Sequence, residues 1–374
     1  MNQNTEEQNQ YQAEIFANRL SKKYKQLRKW ARRERVTCYR LYDRDIPEVP
    51  LAVDLYEFLP QGMDSKVDAI NFLREEDGRI SQNDLTAAKE KLSRTYLNIY
   101  LYERPYEKSD EDEEIWLKTM CSAAAKKLEI PEDQVINKLR KKQKGENQYE
   151  KVDNITKIQG YISECGQLFK INLSDYLDTG LFFDHRPLRS LVRKECGGKS
   201  VLNLFCYTGS FSVYAAEGKA SRVESVDLSN TYLDWAKFHF ALNDFNPQDK
   251  KYIFTRADVQ GFLNQKNAEV PNPENTNRYD IIVLDPPTFS NSKATRSPLD
   301  INRDWSDLVK KCINILNPNG VLYFSTNSHR LKFDESLLPK KNAFGKDLQI
   351  IDMTEKSLPE DYKGSKAHRL WKIS

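Results

Sequence analysis

The stretch "YDIIVLDPPTFSNSK", residues 279–293, ends an apolar run on an acid, two prolines and an aromatic ring. Asp285 follows the four apolar residues Ile281 to Leu284, as it would at the end of a buried strand. Pro286 and Pro287 stiffen the backbone and remove two N–H donors, so their carbonyls are left to face a substrate edge. Phe289 offers a flat face for stacking a base. Together they could hold a planar heterocycle beside a reacting group. The simpler alternative is a strand-ending turn with a core Phe, and the neighbouring strand ends weigh against it.

Those strand ends carry a pattern. Asn203-Leu204-Phe205-Cys206-Tyr207-Thr208-Gly209-Ser210 follows one strand, Asp227-Leu228 the second, Asp258 the third and Asp285 the fourth. In open α/β sheets, ligands sit beyond the carboxyl ends of the strands. A dinucleotide requires several glycines beside its pyrophosphate. This loop has Gly209 alone, with no Lys or Arg from Val201 to Glu217. S-adenosylmethionine (SAM) carries no phosphate. Asp227 suits its ribose hydroxyls and Asp258 its adenine amine, while Gly209 lets the loop turn beneath the methionine portion. Each Asp alone reads better as a helix cap or a solvated turn. Three at successive strand ends favour a methyltransferase over a dehydrogenase.

The elements that must position these residues are readable from periodicity. From about residue 186 strands and helices alternate. The strands are "SVLNLF", "RVESVD", "KYIFTRAD", "YDIIVLD" and "GVLYFSTN", followed by "LQIIDMT" and "HRLWKIS", with a helical stretch expected before "LQIIDMT". This predicts a seven-stranded, doubly wound, Rossmann-like α/β domain over residues 174–374. Residues 36–173 predict a smaller α/β domain, with strands in "VTCYRLYD", "VPLAVDLYEFL" and "TYLNIYLYER", a helix from about Glu111 to Leu128 and a strand pair around "GYISECGQLFKINL". Within it, residues 60–94 are charged and weakly patterned, as in an inserted surface excursion. Residues 1–35 carry an amphipathic basic helix, with Phe16, Leu20, Tyr24, Leu27 and Ala31 on one stripe.

Of 374 residues, 39% are hydrophobic and 30% charged, and no apolar run is long enough to span a bilayer. The polar N-terminus lacks the apolar core of a signal peptide, and the six cysteines form no CxxC pair, which fits a reduced cytoplasmic protein. Its four histidines are dispersed, so no metal is expected. The net charge of +3 hides two basic patches. Arg19 to Arg35 holds nine basic residues and one acid, including Arg28, Lys29, Arg32 and Arg33. In Lys138 to Lys144 five of seven residues are basic: Lys138, Arg140, Lys141, Lys142 and Lys144. Solvated helix faces would account for them; a second patch on a nearly neutral chain favours an RNA-backbone footprint.

The chain resembles the ribosomal RNA large subunit methyltransferase K family, the half of the bacterial K/L fusion that methylates guanine N7 in 23S rRNA. The resemblance rests on "FANRLSKKYKQLRKWARRE", "CYRLYDRDIPE", "QKGENQY", "DYLDTGLFFDHRPLR", "LNLFCYTGSFSVYAA", "VDLSNTYLDWA" and "LDPPTFSNSK". It implies a free-standing K-type enzyme with a class I SAM-dependent methyltransferase domain behind a small RNA-binding domain. It implies 23S rRNA or a large-subunit assembly intermediate as partner. It also brings Asp184 and Arg186 to the amino acid part of the methyl donor.

Guanine N7 has a lone pair and no proton to lose, so a general base is unnecessary. Cytosine-C5 chemistry needs a thiolate, and the loop after the fifth strand, Ser325-Thr326-Asn327-Ser328, has none. Cys206 reads as packing. Guanine-N2 methylation stays open, because Asp285 and a proline carbonyl could hold an exocyclic amine. Other classes remain: a non-catalytic RNA-binding or ribosome assembly factor, and a small-molecule methyltransferase, which leaves both basic patches unexplained.

Overall fold

The computed structural model describes residues 3–102, 109–139, 157–175, 178–269, 277–291 and 298–374. Two compact units divide between Phe183 and Asp184, where the sequence reading places the division ten residues earlier.

In the first unit, helix α1 (Gln3–Glu34) buries Ala13, Phe16, Leu20, Leu27 and Ala31 along one stripe. That stripe packs with strands β1 (Cys38–Asp43), β2 (Leu51–Glu57) and β3 (Thr95–Leu101) in one core. Phe16 meets Tyr42 edge-on at 5.0 Å. Between β2 and β3 lie α2 (Lys66–Ser81) and α3 (Leu85–Leu92), so the weakly patterned 60–94 region is a helical pair. Its apolar burial is slight, with Ala69, Leu73 and Ala87. Charge holds it instead: Lys91 Nζ lies 2.9 Å from Glu57, and Arg94 bonds both Glu76 and the Phe58 carbonyl. This explains why hydrophobic periodicity shows so little there.

Helix α4 (Asp110–Leu128) is capped by Ser109 and opens with Asp110, Glu111, Asp112 and Glu113. The acidic run therefore complements a helix N-terminus. Trp116 of α4 donates to Gln12 of α1 at 2.7 Å. Strand β4 (Val135–Leu139) joins β3 in parallel, and β5 (Gln159–Glu164) and β6 (Gln167–Asn172) form a hairpin. Its two-residue turn, Cys165-Gly166, has positive φ at both positions.

The second unit is wound as expected. Its elements are α5 (Arg186–Glu195), β7 (Ser200–Leu204), α6 (Ser210–Glu217), β8 (Arg222–Asp227), α7 (Asn230–Leu242), β9 (Tyr252–Arg256), α8 (Val259–Glu269) and β10 (Tyr279–Leu284). Then come the short pair β11 (Phe289–Ser290) and β12 (Leu299–Asp300), α9 (Ile301–Asn314), β13 (Leu316–Thr326), β14 (Ile350–Asp352), α10 (Thr354–Ser357) and β15 (Arg369–Ile373). The seven-stranded sheet has order β14-β15-β13-β10-β7-β8-β9, and β15 alone runs antiparallel to its neighbours. The order reverses between β7 and β10, so right-handed crossovers send helices to opposite faces and open a crevice at that rim. Ile301, Trp305, Leu308 and Cys312 of α9 bury one side of the helix in a core with Ile282, Leu284 and Phe324.

One expectation fails. The helical stretch foreseen before β14 is only a single turn, Glu335–Leu337, and α10 follows β14. Pro339 and Gly345 interrupt that segment, and it folds back on itself through Leu348 N–H to the Lys340 carbonyl (2.9 Å).

Candidate active site

The loop after β7 is built around left-handed residues. Phe205 (φ 55°), Tyr207 (φ 50°) and Gly209 (φ 75°) alternate with ordinary ones. Two non-glycine residues in that region store strain of order 1 kcal/mol or more each. Strand-end bonds stabilise them: Cys206 N–H to the Val226 carbonyl at 3.0 Å, and Tyr207 N–H to Asp227 Oδ2 at 2.9 Å. Ser229 N–H donates to the other oxygen of Asp227, also at 2.9 Å. Burial pushes the Asp227 carboxyl up, against these backbone donors. Gly209 is required twice over, by its φ and because a Cβ there would stand 2.7 Å from Ala236 Cβ on α7.

The other residues marked on this rim divide into half-buried and buried ones. Phe205, Tyr207, Ser210 and Leu228 are half-buried. Asn203 is buried, donating to Ser212 Oγ at 3.0 Å, while Ser225 Oγ donates to the same atom at 2.7 Å. Thr208 is buried too, its carbonyl 2.9 Å from His239 Nδ1. Asp258 accepts from Gly261 N–H at 3.1 Å at the start of α8, the capping role that is the plainer reading of such an acid.

The fourth strand end holds a cluster that the sequence reading did not find. His185 Nε2 lies 3.2 Å from Asp285 Oδ2, 3.3 Å from Ser325 Oγ and 3.8 Å from Asp184 Oδ2. The His185 ring stacks on His368 at 4.3 Å and 22°. His368 Nδ1 is 2.8 Å from Asp184 Oδ2 and its Nε2 2.7 Å from Ser357 Oγ. Burial opposes the charge on His185, but Asp285 and Asp184 outweigh it and raise the imidazole pKa. Burial also works against Asp285 and Asp184. The adjacent imidazoles nevertheless hold the Asp285 carboxyl below its ordinary value and, with Arg189, that of Asp184 well below it. Asp285 therefore sits ionised at neutral pH, with its side chain 28% exposed at the rim.

Two of the four histidines, far apart in sequence, thus meet in the fold. Asp184, His185 and His368 bring donor atoms within 4.8 Å of one another, a spacing open to a metal ion. His368 uses both ring nitrogens in hydrogen bonds to Asp184 and Ser357, and of the three only His185 is paired with Asp285. The Arg186 guanidinium is 4% exposed and bonds Asp361 Oδ1 at 2.9 Å, a buried ion pair.

Beyond Asp285, Pro286 is buried and Phe289 is 54% exposed at the start of β11. Thr288 Oγ1 donates to Asn327 at 2.6 Å, which ties this loop to the one after β13. Cys206 is buried, and desolvation beside the Asp227 charge pushes its thiol well above the ordinary range. It is unsuited to act as a nucleophile. In the first unit, Thr179 Oγ1 lies 2.9 Å from the Tyr56 hydroxyl.

Of the basic residues, Arg28, Lys29 and Arg33 are exposed on α1, and Arg32 pairs with Asp77 at 3.3 Å. Lys138 lies on β4; Arg140, Lys141, Lys142 and Lys144 fall outside the described residues. No described helix is long and apolar enough to cross a membrane.

Asp227 ends β8 and Asp285 follows β10, so the two acids flank the loop after β7 at one rim of the sheet. Residues 137–352 match the model of a family described as S-adenosylmethionine-dependent methyltransferase. A protein of Neisseria meningitidis named ribosomal RNA large subunit methyltransferase K is 39% identical over 96% of this chain and 86% of its own. A K/L protein of Magnetococcus marinus is 38% identical over 97% of this chain, which spans only 43% of that relative. Among solved structures, SMU.776 complexed with SAH superimposes with a TM-score of 0.67 at 20% identity, covering 96% of this chain and 81% of that one.

Proposed function

Because the chain belongs to the ribosomal RNA large subunit methyltransferase K family, whose cofactor is SAM, we propose that it methylates N7 of a guanine in 23S rRNA. The observation that carries this reading is Asp285 at the rim, 3.2 Å from His185 and within four positions of the exposed Phe289. When bound, SAM supplies an electrophilic methyl group on a sulfonium. The chain's own residues have alignment and charge to provide. Asp227 would take the ribose hydroxyls with the lone pairs not used by Tyr207 and Ser229. Phe289 would stack the purine. N7 needs no base, and its methylation leaves a cationic ring, which the Asp285 carboxylate would stabilise.

A second reading shares this geometry. Asp285 could accept from the exocyclic N2 amine of guanine. Nucleoside mass spectrometry of 23S rRNA from cells lacking this protein, before and after complementation, separates the two. The N7 reading expects 7-methylguanosine to fall and return. Loss of N2-methylguanosine or 5-methylcytidine, with 7-methylguanosine unchanged, overturns it. Reaching either atom requires local unpairing or flipping of the base, with backbone contacts elsewhere on the chain.

A further inference from the structure

The first unit holds a cavity of about 220 Å³ between α1 and α2, lined by Tyr24, Arg28, Arg32, Arg35, Arg74 and Lys91 among others. Its cations are not equivalent. Lys91 is saturated by Glu57 at 2.9 Å, with Glu76 and Asp77 each at 3.8 Å. Arg32 is paired with Asp77. Arg28, Arg35 and Arg74 have no ion pair with any described residue, and all three are exposed.

These three arginines come from separate places: the α1 face, the left-handed residue that ends α1 (φ 55°), and the inserted helix α2. They converge on one concavity whose wall also has aromatic and aliphatic parts, including Tyr24, Tyr39 and Leu73. Arginine forks suit phosphate oxygens, and an aromatic wall suits a ribose or base. The volume admits several waters, more than a single phosphate group occupies.

We propose that this cavity is a seat for a ribose-phosphate segment of the RNA substrate, with Arg28, Arg35 and Arg74 as its phosphate ligands. The inserted pair α2–α3 then has a purpose: it supplies Arg74 and, through Lys91, part of the far wall. The proposal rests on the RNA-methyltransferase reading and locates where the substrate backbone is gripped.

The test is charge reversal in the full chain. R35E/R74E is compared with K22E/K25E, an equal charge change at exposed α1 positions that do not line the cavity. A fluorescein-labelled 23S rRNA hairpin is titrated at several salt concentrations. Calorimetry follows SAM, adenosine monophosphate and inorganic phosphate. R35E/R74E is expected to weaken RNA binding at least about tenfold and to flatten the log–log salt slope by about 1.4, the value for two lost single-strand phosphate contacts. SAM affinity and melting temperature should stay unchanged, and K22E/K25E should do much less. Equal losses in both variants overturn the seat and leave RNA binding as a diffuse footprint. Loss of adenosine monophosphate or phosphate binding with RNA affinity intact overturns the RNA assignment in favour of a free nucleotide. If the wild-type chain binds no RNA, the underlying reading falls and the seat with it.

Discussion

Replacing His185 by glutamine removes the imidazole that faces Asp285 at 3.2 Å and Asp184 at 3.8 Å, whose charged form these carboxylates favour. At an effective dielectric of about 20, the gross attraction across the 3.2 Å contact is about 5 kcal/mol. Much of that is offset by the cost of burying the imidazolium, and Asp285 keeps some water. The net loss should be about 2 kcal/mol. For a unit of this size that lowers the melting temperature by about 4–8 °C. The effect must also depend on pH. A raised His185 pKa contributes stability that is complete below the ordinary histidine value of about 6.5 and disappears as pH rises through the folded value. A lowered Asp285 pKa contributes above the ordinary carboxylate value of about 3.9, and that part is lost as pH falls through the folded value. Thermal unfolding of wild type and His185→Gln from pH 6 to pH 9 should therefore show a gap that is widest at pH 6 and closes towards pH 9. With only four histidines, NMR can assign the resonance that vanishes in the variant and check that it titrates above the usual range. A gap that is constant with pH, or absent at pH 6, refutes the claim that an imidazolium holds Asp285.

Three further outcomes test the rim. Asp227→Ala removes the proposed ribose acceptor and orphans two backbone N–H groups; calorimetry should show SAM affinity at least about thirtyfold weaker, and an unchanged Kd refutes its role. Phe289→Ala should lower kcat/KM for RNA by about tenfold or more, one base stack, while SAM affinity holds; equal loss in both contradicts stacking. Gly209→Ala forces a Cβ against Ala236 at positive φ, so denaturant unfolding should show about 2–4 kcal/mol lost, and a neutral result would mean that α7 yields there.

What the sequence determined by itself is local. Alternating apolar residues in "YDIIVLD" and "RVESVD" make strands, Gly209 marks the loop, and the acids at 227 and 285 are placed at strand ends by position in the chain alone. The α1 stripe and the winding of the sheet follow from periodicity in the same way. Tertiary structure decided what these residues touch and which unmarked ones join them. Asp258 accepts from Gly261 at the start of α8, and Arg186 pairs with Asp361, 175 positions away. His368 reaches the rim because β15 runs antiparallel to β13, pairing Arg369 with Thr326. The start of β15 therefore lies where the parallel strands end. Hydrophobic period and turn chemistry extend over a few residues, whereas electrostatic partners are set by strand order, and nothing in the spacing of 185, 285 and 368 records it.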